Sequence, residues 1–381
     1  MSRCSHVQWL ELDGLDPHWA IINPDRLTQI LADLAQPDRQ CPSIVLFIGK
    51  RRKVAALRAI FPHNNVSRRA AHGVANLTVD TSTLASDHPL LLADSTPGAP
   101  CTNQIGSWNG CHENLRHKIR AERGILLRRA VQCTVVNLIR PLCHAVCIFT
   151  DDVGGNRKCS EYLRAWLDAV HEQQQVSICP PLLLVTTNDD HLDALKDLEH
   201  HDKFLHVFAS WECIKIESTG QHEADRQRLQ STIRSLLDAV RQRLSEQKLL
   251  FTARHLARLF KQVVAGFCHD PNTTPDLLQV YRHPAVDEPI SSLPTQVDTM
   301  LASLPADDCA ELAIVANVAA VLLVQAYPPG HHRESRRHVV ARQDAGADPP
   351  QILHQPRFSR GSSTPPSTRS PGKPASESVE Q

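Results

Sequence analysis

The sequence predicts an α/β fold on a mainly parallel sheet, followed by a helical region and a disordered tail. Three observations predict it. Short apolar runs recur that are too hydrophobic for strands with one wet face: 44–48, 73–80, 89–94, 144–150, 181–187 and a stretch near 205–216. Helical patterns at 54–61, 112–139, 157–174 and 191–200 separate them, as strand–helix–strand crossovers require. Composition then changes at residue 331, where seven prolines, many serines and few large apolar residues leave nothing to bury.

Length and charge bound the rest. The 381 residues allow two domains plus a tail, and 41% hydrophobic content is enough for a core. Zero net charge gives no electrostatic argument for nucleic acid. The 12 cysteines include no C-x-x-C pair, and Met1–Leu10 is too polar for a signal peptide, so a reduced, cytoplasmic protein is expected. The longest apolar run, Leu312–Val324, is interrupted by Asn317 and is too short for a membrane span.

Taken in order, residues 1–42 are expected to be a helical lead-in, with Asn23 and Pro24 starting a helix over 24–35. Residues 43–218 form the α/β domain. Residues 219–330 read as helical, with a long helix from Ala224 to Leu259 and further ones over 297–304 and 310–324, the last mostly buried. Residues 331–381 form the tail, with eight basic and five acidic side chains. Its Pro371-Gly372-Lys373-Pro374 has P-x-x-P spacing, which arises readily in a proline-rich segment. One expectation is that the tail comes from a truncated or misassembled gene model.

The chemistry concentrates in Cys41–Phe61. Ile44–Ile48 is a buried strand, Gly49–Lys53 is one glycine followed by four cations, and Val54, Leu57, Ile60 and Phe61 line one face of a helix. Strand, glycine-and-lysine loop and helix is the layout of a phosphate-binding loop. Backbone N–H groups and the helix N-terminus meet the anion, and a lysine reaches the terminal phosphates. The full G-x-x-x-x-G-K-[ST] is not present: aligned on Lys53 as its lysine, Arg52 stands at the second glycine and Val54 where a hydroxyl would ligate Mg²⁺, and Gly49 lies two residues nearer than the first glycine. An ordinary strand–helix corner with a solvated basic loop is the competing reading.

Function in such a sheet sits at the C-terminal strand ends. One run closes Ala93-Asp94-Ser95-Thr96-Pro97-Gly98, placing a carboxylate where P-loop NTPases hold Mg²⁺. Another closes Thr186-Thr187-Asn188-Asp189-Asp190, where a GTPase reads guanine, and Phe208-Ala209-Ser210-Trp211 is a small-residue segment that would flank the base. Thr81 and Thr83 lie in the region of a switch threonine. Each is equally a solvated turn residue.

The order of these motifs resembles a degenerate GTPase-like P-loop NTPase domain. More closely, Ser43–Gly49, Lys53–Arg58, His72-Gly73-Val74 and Asp94 look like the amino-terminal region of large fungal patatin-like phospholipase proteins, over roughly residues 40–330. In that family a GTPase-like region precedes a helical segment and a lipase domain. A patatin lipase needs a Gly-x-Ser-x-Gly elbow, and none occurs here. The resemblance implies a nucleotide-binding or regulatory module without lipase activity. GTP or ATP with Mg²⁺ would be the cofactor: Gly49, Lys50 and Lys53 on the phosphates, Asp94 on the metal and Asp190 on the base. The alternatives are an interaction scaffold with a vestigial phosphate loop and unidentified protein partners, or an active GTPase, which Val54 and the altered base loop disfavour.

Other clusters are weaker. Cys143 and Cys147 lie on one face of a strand about 13 Å apart, too far to share a metal. His200-His201 and His331-His332 read as exposed pairs. Cys111-His112 shows no group that would activate a thiolate.

Overall fold

The computed structural model describes residues 7–15, 18–64, 74–97, 115–120, 127–169, 179–188, 190, 192–217, 223–247, 249–277, 280 and 315–316. All belong to the first of two units, Met1–His331; the second is His332–Gln381. The predicted tail and the helix predicted over 297–304 lie outside the described residues. Of the helix predicted over 310–324, only 315 and 316 are described; both are helical, and Val315 is exposed rather than buried.

The architecture is α/β, on a nine-stranded mixed sheet. The strands are β1 (Gln8–Leu15), β2 (His18–Asn23), β3 (Ser43–Ile48), β4 (Ala75–Val79), β5 (Leu90–Ser95), β6 (Leu115–Lys118), β7 (Ala145–Phe149), β8 (Leu182–Thr186) and β9 (Trp211–Lys215). Their spatial order is β6-β2-β1-β4-β5-β3-β7-β8-β9. From β5 to β9 all pairings are parallel; from β5 outward through β4 to β6 all are antiparallel.

The parallel block follows from the apolar runs. All six residues of β3 are buried, as are all five of β7 and of β8, so both faces are covered. Alternate side chains enter two cores. Ile44, Leu46, Ile48, Val146, Ile148, Leu182 and Leu184 meet α1 (Arg26–Ala32), α5 (Asn156–Ala169) and α9 (Ala253–His269). Val45, Phe47, Cys147, Phe149, Leu183 and Val185 meet α2 (Arg51–Ile60) and α8 (Glu223–Glu246). Cys147, read as a small core residue, is buried as such.

Three expectations are corrected. The lead-in is not simply helical: Trp9, Leu10, Leu12 and Ile21 are buried in a β1–β2 hairpin that extends the sheet, and only Arg26–Ala32 is helix. The helix predicted over 112–139 begins instead with edge strand β6; α3 (Leu127–Cys133) follows, continued by a π-helical stretch over Thr134–Ile139. The long helix predicted over 224–259 breaks at Leu249–Phe251, and Thr252 caps α9 by accepting from the His255 N–H.

Candidate functional site

β3 lies inside the parallel block, between β5 and β7. The strands next in the chain, β4 and β5, lie on one side of it and the later β7, β8 and β9 on the other, which makes its C-terminal end the switch point of the sheet. Gly49 follows β3, Lys50 is the N-cap residue of α2, and Lys53 sits in the first helical turn. Four residues separate the strand from Lys53, and two of them are already helical, so the chain turns a tight corner rather than wrapping a ligand.

The structure brings Gly49, Lys50, Lys53 and Asp94 together. Lys53 does not reach into solvent. Its side chain is 1% exposed, pairs with the Asp94 carboxylate, and donates to the Ser95 carbonyl at 2.8 Å and the Thr96 Oγ1 at 3.5 Å. Asp94, on β5, is one strand away, and parallel pairing sets Phe47 against it in register. The Lys50 side chain is exposed, while its backbone N–H points into the corner.

What fills the corner is a residue that the sequence reading passed over. β7 ends in α4 (Thr150–Val153), a single helical turn carrying Asp151 and Asp152. The Asp152 carboxylate accepts from the backbone N–H of Lys50 at 2.7 Å, Lys53 at 2.9 Å and Arg52 at 3.2 Å. Those are N-terminal donors of α2, the groups a bound phosphate would use. Gly49 permits the approach: a Cβ there would lie 2.8 Å from Asp152 Oδ2 and 2.9 Å from the Lys53 Cβ.

Asp151 faces the other way. It accepts from the Thr187 N–H at 3.1 Å and the Thr187 hydroxyl at 3.0 Å, and pairs with Arg52 at 3.6 Å. α4 therefore bridges the corner and the loop after β8. That loop is closed on itself: Asn188 exchanges hydrogen bonds with Asp190, and Asn156 donates to the Asn188 and Asp190 carbonyls. Asp190 is exposed and two strands from β3, about 10 Å across the sheet.

Two expected contributors stand at the wrong end of the sheet. Thr81 and Thr83 lie in the turn between β4 and β5; because β4 runs antiparallel, that turn is at the opposite edge from the corner. Thr83 is structural there, accepting from the Leu90 N–H. Phe208–Ser210 precedes β9, and the Ser210 carbonyl accepts from the N–H of Leu182, the first residue of β8, which again places it at the far edge. His72, Gly73, Gly98 and Asp189 lie outside the described residues.

At that far edge His144 is half-buried, and its Nδ1 accepts the Ile44 N–H at 3.1 Å. Burial, with Arg241 and His88 adding to it, pushes its pKa down to about 3. A cavity of about 20 Å³ lined by Pro42, His144, Phe251 and Leu256 has room for one water and no larger ligand. Among the described residues no cluster of metal-ligating side chains occurs, and no helix is long and apolar enough to cross a membrane.

No protein-family model matches the chain, and no curated protein matches it either.

Proposed function

We propose that this chain is a non-catalytic interaction module, built on a GTPase-like sheet whose phosphate corner is filled from within. The observation that carries the reading is the Asp152 carboxylate on the Lys50, Arg52 and Lys53 N–H groups. The Lys50, Arg52 and Lys53 N–H groups and the Lys53 and Arg52 side chains, which the phosphate-loop layout would turn to a nucleotide, already have internal partners. The helix donors have Asp152, Lys53 has Asp94 and the Ser95 carbonyl, and Arg52 has Asp151.

The strand order supports the GTPase-like part. Counted from β3 as first, with β4 and β5 next, the block reads 2-3-1-4-5-6 with the second strand antiparallel, the order expected of such a domain. The donor set does not fit a Mg²⁺–nucleotide. Val54 brings no hydroxyl, Asp94 is neutralised by Lys53, and an incoming phosphate would meet Asp152. What the chain offers instead is its folded surface, acting on a protein partner.

The test is titration of the full chain with fluorescent GTP and ATP, with and without Mg²⁺. No saturable binding up to millimolar nucleotide is expected. Saturable binding that folded Lys53→Ala protein loses would overturn the reading and restore a nucleotide-sensing role.

A further inference from the structure

Arg140 opens the short turn that follows the π-helical stretch, and it is fully buried. Its Nε donates to the Val136 carbonyl and its Nη1 to the Val207 carbonyl, both at 3.0 Å, while Nη2 is buried with no hydrogen-bond partner. Among the described residues no carboxylate pairs with it. The anion-forming groups that act on it are the thiols of Cys179 and Cys143, Cys179 the more strongly, and burial holds its pKa down to about 10 against them. A buried cation is costly until an anion meets it. Cys179 stands beside it. Its Sγ donates to the His206 carbonyl at 3.5 Å, next in the chain to the carbonyl that holds Arg140 Nη1, so thiol and guanidinium meet the end of the same helical turn, Phe204–Val207. A second guanidinium comes from α8, where Arg243 donates to the Cys179 carbonyl at 2.9 Å. Burial raises the Cys179 pKa and both arginines oppose it. Cys41, half-buried like Cys179, has no such help: Asp87 adds to the effect of burial there.

We propose that Cys179 is an oxidative modification site, and that the sulfinate formed on it is the anion that Arg140 Nη2 is placed to meet. The reagent is a peroxide. The Cys179 sulfur attacks one peroxide oxygen, the O–O bond breaks, and the leaving hydroxide takes the thiol proton, giving a sulfenic acid and water. A second peroxide repeats the transfer and leaves a sulfinate, a proton and water. At each step sulfur loses two electrons and one peroxide is reduced. The product turns a thiol that burial disfavours as an anion into a permanent anion between two guanidinium groups, and it ties the chain entering β8 to the turn at Arg140. The nucleotide corner lies at the opposite edge of the sheet and takes no part.

The experiment treats the folded full chain with hydrogen peroxide and follows oxygen uptake at each cysteine by peptide mass spectrometry. Cys179 should gain two oxygens about tenfold faster than Cys41, because cations oppose its burial and a carboxylate reinforces that of Cys41. Equal rates, or a faster Cys41, would overturn the assignment. Arg140→Met should bring the Cys179 rate down to that of Cys41, and a preference that survives in the folded variant tells against Arg140 as the partner. The second measurement needs no oxidant. Cys179→Asp supplies a permanent carboxylate in the same place and should raise the urea midpoint by about 0.3 M or more. An unchanged or lower midpoint would show that the buried guanidinium gains nothing from an anion there, and would sink the proposal. Should Arg140→Met fail to fold, that midpoint still decides.

Discussion

Lys53 separates a structural corner from a working phosphate site. If it is a ligand in waiting, shortening or neutralising it leaves stability unchanged and removes only binding. In this structure it is a buried cation with one charged and one strong neutral acceptor, at 1% exposure beside an Asp94 side chain that is 19% exposed. Lys53→Met keeps the aliphatic stem and removes the charge, leaving the Asp94 carboxylate and the Ser95 carbonyl without their donor. Breaking a buried pair in this way costs about 3–5 kcal/mol. Asp94 keeps some water, so the lower end, about 3 kcal/mol, is expected. With a urea m-value of about 3 kcal/mol/M the unfolding midpoint should fall by about 1 M. Adding Asp94→Asn in the Lys53→Met background should recover more than about 1 kcal/mol, because the stranded charge is then gone. A midpoint shift under about 0.3 M for Lys53→Met, at unchanged m, would refute the argument that the lysine is committed to the fold.

Two further predictions concern the far edge and the π-helical stretch. The folded-state pKa of His144 lies near 3, against 6.5 ordinarily, so between those values the unfolded chain binds the proton that the folded chain refuses. Stability should therefore decline as pH falls below about 6.5 and go on declining toward pH 3. The urea midpoint of His144→Asn, whose amide oxygen can still accept from Ile44, should show a shallower acid slope; His255, held down to about 4 by burial, sustains the remainder. Asn137, fully buried in the π-helical stretch, donates to the Pro271 carbonyl at 2.9 Å and accepts from the Thr274 hydroxyl at 2.8 Å. Asn137→Ala removes both bonds and leaves the Pro271 carbonyl without this donor, and should lower stability by about 2–3 kcal/mol in the same assay, while Thr274→Val, which removes only one of the two bonds, should cost less.

Much of the sheet was legible because strands buried on both faces leave a dense signature. β3, β5, β7 and β8 fall within two residues of their apolar runs. The hairpin and edge strand were not legible for the same reason in reverse. β6 is Leu-Arg-His-Lys with mostly exposed side chains, and β1 interleaves Trp9, Leu10 and Leu12 with buried polar Gln8 and Glu11, so neither shows a clean period. In the site, Gly49, Lys50, Lys53 and Asp94 came from local patterns: a loop between strand and helix, and a carboxylate closing a buried strand. Strand direction has no local pattern, which is why Thr81 was assigned to the wrong end; Ser210 was misplaced because the stretch near 205–216 opens with a helical turn over Phe204–Val207 and becomes strand only at Trp211. Asp152 had a visible cue, an acidic pair before Gly-Gly at a buried strand's end. Its partner lies about 100 residues away, however, and only the adjacency of β3 and β7 turns a solvated-looking aspartate into the occupant of the corner.

That occupant also sets the scale of exclusion. A phosphate oxyanion placed about 4 Å from the Asp152 carboxylate at an effective dielectric near 20 is opposed by about 4 kcal/mol per unit charge, close to a thousandfold in affinity. The exposed Lys50 and Arg51 side chains offset part of this only in the screened regime of the surface, where single pairs contribute about 1 kcal/mol or less. The balance therefore lies with the internal carboxylate for any ligand of one or two negative charges. Only moving Asp152 changes it, because the three N–H groups cannot serve two acceptors at once. Position 152 thus decides more about nucleotide than the missing hydroxyl at Val54: restoring Thr at 54 with Asp152 in place should give no binding, whereas Asp152→Ala alone should give measurable affinity for pyrophosphate.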